Sequence, residues 1–307
     1  MSLILLRSDK NYEQWLNAFA DFDPDFPVFI PETAENKGDI IMALSWKAPT
    51  GSYTQYPNLK VIGSMGAGVD HLFEDPELPE NIQLTRVVDE YLATDMREFV
   101  LAQCMSTIKN LNTFSRKQPH WDRLPYRRVA DVTVGIMGLG VLGQAVGKLL
   151  HQVGFKVTGW SHSYKDLEFV KSYSGEKELN KFLSSAEILV CLLPLTEETK
   201  GILNKALFFE LPHGAYLINV ARGGHLHESD LLDALHSGKL GGASLDVFEQ
   251  EPLPKDHPFW REPNIFITPH VASVSSPASI IPQVVENYNR LQAGEPLLNT
   301  VSRKRGY

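Results

Sequence analysis

Three side chains that suit hydride transfer to a keto acid lie in the second half of the chain. Arg222, Glu251 and His270 each come shortly after an apolar, strand-like run. A guanidinium matches a carboxylate in shape and charge, so Arg222 can hold an acid substrate. A carboxylate beside an imidazole favours the protonated ring, which can give its proton to a carbonyl oxygen as a hydride reaches the carbon. Singly, each is more often a surface or structural residue; together they predict reduction of a 2-keto acid.

A glycine-rich turn lies between an apolar run and a helical pattern. The segment 138–143 reads Gly-Leu-Gly-Val-Leu-Gly, after the β-branched run 132–137 and before helical spacing over 144–152. Such a turn lets the backbone approach a pyrophosphate at a helix N-terminus, where amides and the helix dipole favour negative charge. We therefore predict a dinucleotide site here rather than an ordinary loop. Its residues are Gly138, Gly140, Val141, Leu142 and Gly143.

Apolar runs alternate with helical patterns along most of the chain, which is typical of parallel sheets covered by helices. The last six predicted strands match a dinucleotide-binding fold in number. Long helices are predicted over 95–114 and 280–292. The predicted strands are 3–6, 27–30, 40–45, 59–65 and 82–88, followed by 132–137, 156–160, 188–193, 216–220, 243–247 and 265–268.

The helix predicted at 280–292 follows the last strand of the second block and cannot easily join that block's sheet. We therefore predict an α/β protein of two doubly wound parallel-sheet domains, with a Rossmann cofactor domain inserted into a flavodoxin-like substrate domain. The substrate domain would comprise residues 1–95 and 275–307, and the NAD(P)-binding domain residues 96–274.

The composition argues against several other classes of protein. The 307 residues carry 29 Lys and Arg against 37 Asp and Glu, a net charge of −8 that gives no support to nucleic-acid binding. No apolar run reaches the roughly 18 residues of a membrane span, and the first residues predict a strand rather than a signal peptide. Cys104 and Cys191 lie in apolar runs and cannot build a disulfide framework. We expect a cytoplasmic protein with buried, reduced thiols and no metal site.

Three motifs resemble those of the D-isomer-specific 2-hydroxyacid dehydrogenases, and the resemblance extends over nearly the whole chain. Val-Ala-Arg-Gly at 220–223, Leu-Asp-Val-Phe-Glu-Gln-Glu-Pro at 245–252 and Pro-His-Val-Ala at 269–272 stand where that family carries its Arg, Glu and His. The resemblance implies small 2-keto acids such as glyoxylate or hydroxypyruvate as substrates. Within the family, the glyoxylate/hydroxypyruvate reductase A group is the most similar, through segments at 66–70, 120–125 and 305–307.

The resemblance also implies roles for residues that local chemistry alone does not single out. Asp246 would accept a hydrogen bond from the nicotinamide carboxamide, with a strand-end cap as the alternative. The segment 66–68 would hold the substrate carboxylate on backbone amides, and Trp46 would be either a pocket wall or core packing. The implied cofactor residues are Leu193, Pro194, Thr199, Val220, Ala221, Asp246 and Ala272, and the implied substrate residues are Trp46, Gly66, Ala67 and Gly68.

The end of the second predicted strand of the cofactor domain favours NADPH over NADH. NAD-binding sheets usually carry an acidic residue there for the ribose hydroxyls. Here the strand is followed by Ser161, His162 and Lys165, which can donate to a 2′-phosphate, and no carboxylate comes before Asp166. His162 stands where the reductase group often carries Arg, so use of NAD(H) as a second cofactor stays open.

Two other functions stay open on the same scaffold. One is a dehydrogenase of another small anion, such as formate or phosphite. The other is a cofactor-sensing binding protein like the corepressors that share this fold. The joint presence of Arg222, Glu251 and His270 argues against a fold that has lost its activity. The resemblance further implies a homodimer built mainly on the cofactor domain, with 114–128 as part of its arm.

Overall fold

The structure, a computed structural model, describes residues 1–116, 121 and 123–307. The chain forms two compact units. We call Met1–Tyr91 with Ser275–Tyr307 the discontinuous unit, and Leu92–Val274 the continuous unit. The assignment of substrate binding to the first and cofactor binding to the second stays a prediction.

The elements are numbered in chain order. The strands are β1 (Ser2–Arg7), β2 (Val28–Phe29), β3 (Ile40–Trp46), β4 (Val61–Ser64), β5 (Gln83–Thr85), β6 (Thr133–Met137), β7 (Lys156–Ser161), β8 (Lys171–Ser174), β9 (Ile188–Cys191), β10 (Ala215–Asn219), β11 (Leu240–Leu245) and β12 (Ile265–Ile267). The helices are α1 (Glu13–Phe22), α2 (Asp70–Phe73), α3 (Glu90–Ile108), α4 (Leu111–Arg116), α5 (Val141–Val153), α6 (Gly175–Leu183), α7 (Lys205–Glu210), α8 (Glu228–His236) and α9 (Pro277–Ala293). None of the helices in the described chain is long and apolar enough to cross a bilayer.

The discontinuous unit is built on a five-stranded parallel sheet in the order β2-β1-β3-β4-β5. This is the strand order of flavodoxin. Strands β1, β3 and β4 are buried along almost their whole length, as expected of parallel strands covered on both faces. Helix α9 packs against α1, and the hydroxyl of Tyr288 donates to the carbonyl of Met1 at 2.6 Å. Residues 275–307 therefore complete this unit.

The continuous unit is built on a seven-stranded parallel sheet in the order β12-β11-β10-β9-β6-β7-β8. Counted from β6, this is the Rossmann order with β12 added at one edge. Buried apolar side chains cover both faces, with Phe182 and Phe208 in one cluster and Val100 and Val146 in the other. The two doubly wound parallel-sheet domains predicted from the sequence are confirmed.

The second sheet has one strand more than the six predicted. Strand β8 reads Lys-Ser-Tyr-Ser, and only Tyr173 in it is fully buried. It lies at the edge of the sheet beside β7, where one side needs no partner. A short polar edge strand carries no apolar run, so the predicted count was wrong.

The long helix predicted over 95–114 is two helices. Helix α3 ends at Ile108 and α4 begins at Leu111, and between them Asn110 has a φ of +56°. A residue in the left-handed region cannot continue an α-helix, and Asn is among the residues that adopt this region most readily. The predicted dimer arm, 114–128, includes 117–120 and 122, which lie outside the described residues.

Candidate active site

The predicted chemical groups follow the carboxyl ends of three strands of the continuous unit. Arg222 comes after β10, Asp246 after β11 and His270 after β12, and these strands are consecutive neighbours in the sheet. Parallel strands bring their carboxyl ends to one edge, which is where ligands of open α/β sheets bind. The topology thus places the three loops side by side.

His270 and Glu251 form a hydrogen-bonded pair at this edge. Nδ1 of the imidazole lies 2.9 Å from Oε2 of the carboxylate, and Oε1 accepts the backbone N–H of Phe248 at 3.1 Å. The side chains are 34% and 24% exposed, so the pair is accessible to a small substrate. Because the carboxylate occupies Nδ1, Nε2 is the nitrogen placed to exchange a proton with a substrate.

The turn that carries His270 is fastened to Asp246. The Asp246 carboxylate, 1% exposed, accepts the amides of Val271 and Ala272 at 2.9 Å each and the hydroxyl of Thr268. Its backbone carbonyl accepts the amide of His270 at 2.8 Å. Asp246 thus makes the contacts of the strand-end cap, and the Ala272 amide is engaged by it. Their contacts with a cofactor stay predictions.

The Arg222 loop lies directly against the loop of Glu251. A Cβ on Gly223 would stand 1.9 Å from the carbonyl carbon of Phe248, so only glycine allows this approach. The Arg222 guanidinium donates to the carbonyl of Ala221 at 2.7 Å through Nη1. Close packing of backbone on backbone therefore sets the separation of two of the three predicted catalytic side chains.

A buried histidine, which the sequence did not single out, joins the Arg222 loop to the loop after β9. The ring of His225, 0% exposed, contacts the carbonyl of Arg222 through Nδ1 at 3.1 Å and the carbonyl of Pro194 through Nε2 at 3.2 Å. The Thr199 hydroxyl donates to the same Pro194 carbonyl at 2.6 Å. Thr199 and His225 therefore shape the 193–199 loop, along which the sequence predicts a cofactor.

The predicted dinucleotide turn has the shape that a pyrophosphate requires. Gly138 has a φ of +105°, and a Cβ there would lie 2.6 Å from the Leu192 carbonyl oxygen. A Cβ on Gly143 would lie 1.8 Å from the Gly138 carbonyl oxygen, so the third glycine permits close helix packing. A Cβ on Gly140 would meet nothing within 4 Å among the described residues, so there is space beside this residue at the N-terminus of α5. The turn fits a bound dinucleotide phosphate.

The other predicted cofactor residues lie at the same sheet edge. Ser161 ends β7, with its hydroxyl donating to the Ser163 carbonyl at 2.8 Å, and His162 beside it is exposed. Lys165 is partly exposed a few residues later. The remaining predicted residues close strand ends, Val220 and Ala221 after β10 and Leu193 after β9, and all three are buried.

A cavity of about 250 Å³ opens at the opposite edge of this sheet. Its lining includes Ile188, Tyr216 and Phe266, near the starts of β9, β10 and β12, with Arg127 and Glu187 in an ion pair of 2.7 Å at its rim. It contains none of the predicted site residues, so it is not the candidate active site.

In the discontinuous unit the 66–68 loop follows β4. The Gly66 amide donates to Oγ of Ser64 at 3.1 Å, so it is engaged by the protein. Trp46 packs against this loop, since a Cβ on Gly66 would lie 2.9 Å from Cζ3 of the indole. Among the described residues, no carbonyl or side chain accepts the amide of Ala67 or Gly68. The loop therefore offers two amides rather than three to an anion.

Comparison with known proteins assigns the chain to a family. Residues 100–272 match the family model of the D-isomer specific 2-hydroxyacid dehydrogenase NAD binding domain. The chain is 37% identical to glyoxylate/hydroxypyruvate reductase A of Serratia proteamaculans, with 100% of both chains covered. It belongs to the D-isomer specific 2-hydroxyacid dehydrogenases. As a member of this family, it is an oxidoreductase.

Solved structures of 2-hydroxyacid dehydrogenases have the same fold throughout. A D-isomer specific 2-hydroxyacid dehydrogenase from Xanthobacter autotrophicus, in complex with NADPH and MES, matches with a TM-score of 0.94 at 39% identity, covering 100% of this chain and 99% of that one. An NADPH-dependent glyoxylate/hydroxypyruvate reductase from Sinorhizobium meliloti, in complex with NADP and sulfate, matches with a TM-score of 0.93 at 40% identity, covering 100% of both chains.

Two contacts of this dehydrogenase were not predicted, namely the bridge of His225 and the bond of Ser64 to the 66–68 loop. A third, the cap of Asp246 on the histidine turn, was predicted only as an alternative to cofactor binding. Each joins residues that are distant in sequence or held by an unusual backbone turn. The one sequence signal for such contacts is a polar residue directly after a buried strand. Of these three residues, Asp246 alone shows this signal.

Proposed function

We propose that this dehydrogenase reduces small 2-keto acids, glyoxylate and hydroxypyruvate, to 2-hydroxy acids with NADPH as the hydride donor. The observation that carries the proposal is the pair of His270 and Glu251, 2.9 Å apart, with the Glu251 loop packed against that of Arg222. The relatives named for these two acids, and the solved relatives that hold NADPH or NADP, support the choice of substrate and cofactor.

His270 is the proposed proton donor. Glu251 holds Nδ1 of the ring, and Nε2 gives its proton to the carbonyl oxygen of the substrate. NADPH, when bound, would supply the hydride for the carbonyl carbon, so the carbonyl group becomes a hydroxyl group. In the reverse direction the neutral Nε2 accepts the hydroxyl proton. Arg222 holds the substrate and stabilises the negative charge that develops on its oxygen.

The cofactor would lie along the carboxyl edge of the seven-stranded sheet. Gly138, Gly140 and Gly143 shape the turn for the pyrophosphate, whose charge is favoured by the N-terminus of α5. Ser161, His162 and Lys165 would contact the 2′-phosphate through a hydroxyl, an imidazole and an ammonium group. The residues that end β7 include no carboxylate to repel that phosphate.

The substrate carboxylate would be held by the amides of Ala67 and Gly68. Successive amides that point into one space form an anion site without a charged side chain. Gly66 would not contribute an amide, because its own N–H donates to Ser64. Its lack of a side chain would instead leave space for Trp46.

The decisive experiment follows consumption of the reduced cofactor with glyoxylate, hydroxypyruvate, pyruvate and phenylpyruvate. We expect the first two to be the best substrates. We expect kcat/KM to favour NADPH over NADH by about tenfold or more, because a hydrogen bond to a charged group contributes about 1.5–3 kcal/mol.

Lys165→Gln should lower the ratio of kcat/KM with NADPH to kcat/KM with NADH. Lys156→Gln, at the opposite end of β7, should leave this ratio unchanged. Oxidation of formate or phosphite without reduction of any keto acid would contradict the proposal.

We further propose a cytoplasmic homodimer. Exposed apolar side chains near α4 support an interface, namely Leu111, Phe114, Trp121 and Tyr126. Two free, buried cysteines suit a reducing compartment. Light scattering after size exclusion tests the assembly: Leu111→Glu should give monomers, and Phe209→Glu, a change of an even more exposed apolar residue on α7, should not.

A further inference from the structure

One hydroxyl group binds both ends of the 66–68 loop. Oγ of Ser64 accepts the amide of Gly66 at 3.1 Å and donates to the carbonyl of Gly68 at 2.7 Å. Nε2 of His71 lies 3.0 Å from the same Oγ. We call Ser64 and His71, with these three contacts, the Ser64 clamp. Ser64 is 1% exposed and His71 is 6% exposed, so water does not compete freely for their hydrogen bonds.

In the clamp, the direction of each hydrogen bond follows from the direction of the one before it. The amide of Lys47 donates to Nδ1 of His71 at 3.4 Å, so Nε2 carries the ring hydrogen and donates to Ser64. The single hydroxyl hydrogen of Ser64 then goes to the Gly68 carbonyl, which has no hydrogen of its own. Each of these donors therefore has an acceptor within the clamp.

An aromatic ring supports the clamp from a second side. The indole of Trp46 lies 4.7 Å from the imidazole of His71, measured between ring centroids. The same indole would be 2.9 Å from a Cβ on Gly66. The loop is thus held by hydrogen bonds at Gly66 and Gly68 and by an aromatic surface beside Gly66.

We propose that Ser64 and His71 are positioning residues that set the Ala67 and Gly68 amides for the substrate carboxylate, a role that rests on the proposed function. Neither side chain needs to touch the substrate. Amides hold a carboxylate well only when both point at it, and a displacement of about 1 Å at a binding group can cost on the order of a hundredfold in rate. The clamp fixes the residues on either side of the two amides.

The test compares two serine variants of adjacent strands. Ser64→Ala removes the clamp. Ser45→Ala is the matched control, because Ser45 is the register neighbour of Ser64, is equally buried, and has its hydroxyl 2.8 Å from the hydroxyl of Tyr53. We expect Ser64→Ala to raise KM for glyoxylate about tenfold or more. Its KM for NADPH should stay within about twofold of the wild type, and Ser45→Ala should leave both constants unchanged to the same degree.

A second pair of variants tests the clamp in case Ser64→Ala folds poorly. His71→Gln keeps an N–H donor for Ser64, whereas His71→Ala removes it. We expect His71→Gln to lie closer to the wild type than His71→Ala in KM for glyoxylate. Equal KM values in Ser64→Ala and Ser45→Ala, or in the two His71 variants, would overturn the proposal, as would a loss of kcat with KM unchanged.

Hydrogen exchange separates failure of the clamp from failure of the proposed function. Without substrate, the 64–72 segment should exchange faster in Ser64→Ala than in Ser45→Ala, because the loop has lost its fastening. If the wild type reduces no keto acid, the proposed function fails whatever the exchange shows. If exchange in the segment is the same in both variants, the clamp fails whatever the activity.

Discussion

At the scale of single residues, His270 adopts a backbone conformation that few side chains tolerate. Its φ is +56°, in the left-handed region. Its amide bonds to the carbonyls of Asp246 at 2.8 Å and Thr268 at 3.1 Å. Histidine is among the residues enriched in this region, after Asn and Asp. The residue that supplies the proposed proton is therefore also one that accepts this turn.

Because of this conformation, two substitutions of His270 can separate its proposed role as proton donor from its role in the backbone turn. His270→Asn keeps a residue that tolerates a positive φ, whereas His270→Ala does not. We expect both variants to lose about 10²–10⁴-fold in kcat, because both lack the general acid. Only His270→Ala should also lower the Tm. Steady-state kinetics and thermal unfolding give the two values, and near-normal turnover in His270→Asn would contradict the proton-donor role.

Asp246 has a larger structural effect than its position in the sequence suggests. In Asp246→Asn the amide group can present only one oxygen to the amides of Val271 and Ala272 and the hydroxyl of Thr268. We expect a loss of about 1–3 kcal/mol in the free energy of unfolding, the cost of leaving a buried donor unsatisfied. Urea unfolding measures it, with Glu249→Gln in the same loop as the exposed control. Equal stability of the two variants would count against the cap.

At the scale of elements, the loops after β9 and β10 are joined by His225. Its ring contacts backbone carbonyls at Pro194 and Arg222, so neither contact depends on another side chain. The first loop is the predicted cofactor loop, and the second carries Arg222, which is proposed to hold the substrate. The protein itself therefore connects the two loops, through a side chain at this edge of the sheet.

We expect His225→Ala to loosen both loops. The Kd for NADPH should rise and the KM for glyoxylate should rise with it, because the buried ring that contacts both carbonyls is removed. His236→Ala is the matched control, since that imidazole is 68% exposed and contacts the Glu262 carboxylate. Fluorescence titration of NADPH and keto acid kinetics make the comparison. A change in only one of the two constants would show that the loops are independent.

The sequence was sufficient where burial on both faces leaves an apolar run. Strands such as β6, β9 and β10 were predicted within a few residues on this basis. Strand β11 begins three residues before its predicted start, because Gly241 and Gly242 carry no side chain to reveal burial. Polar β8 was missed, and the break after α3 depends on the φ of Asn110, which no periodicity reports.

The site was predictable as far as its residue types and strand positions. Arg222, Glu251 and His270 could be named from their places after strands. The partners of Asp246 and Ser64 could not, because they depend on turns that bring amides back toward a strand end. Hydrogen bonds of this kind are set by a few dihedral angles, which residue identity constrains only weakly.

At the scale of the whole molecule, the two thiols report on unfolding. Cys104 and Cys191 are 0% exposed, and burial raises the pKa of each thiol to about 12. A free thiol has a pKa of about 8.5, so near pH 8 only the unfolded chain carries an appreciable fraction of thiolate. We expect no thiol to react with a thiol reagent in native buffer, and two thiols per chain to react in urea. Reaction of the folded protein on mixing would contradict the burial of one or both.

Arg222, Glu251 and His270 all come from one uninterrupted stretch, 92–274, whereas the 66–68 loop belongs to the unit whose sequence flanks that stretch on both sides. Recombination at two junctions, 91/92 and 274/275, would therefore exchange the dinucleotide turn together with the three proposed catalytic residues. The amides proposed for the substrate carboxylate, at Ala67 and Gly68, would stay with the other unit.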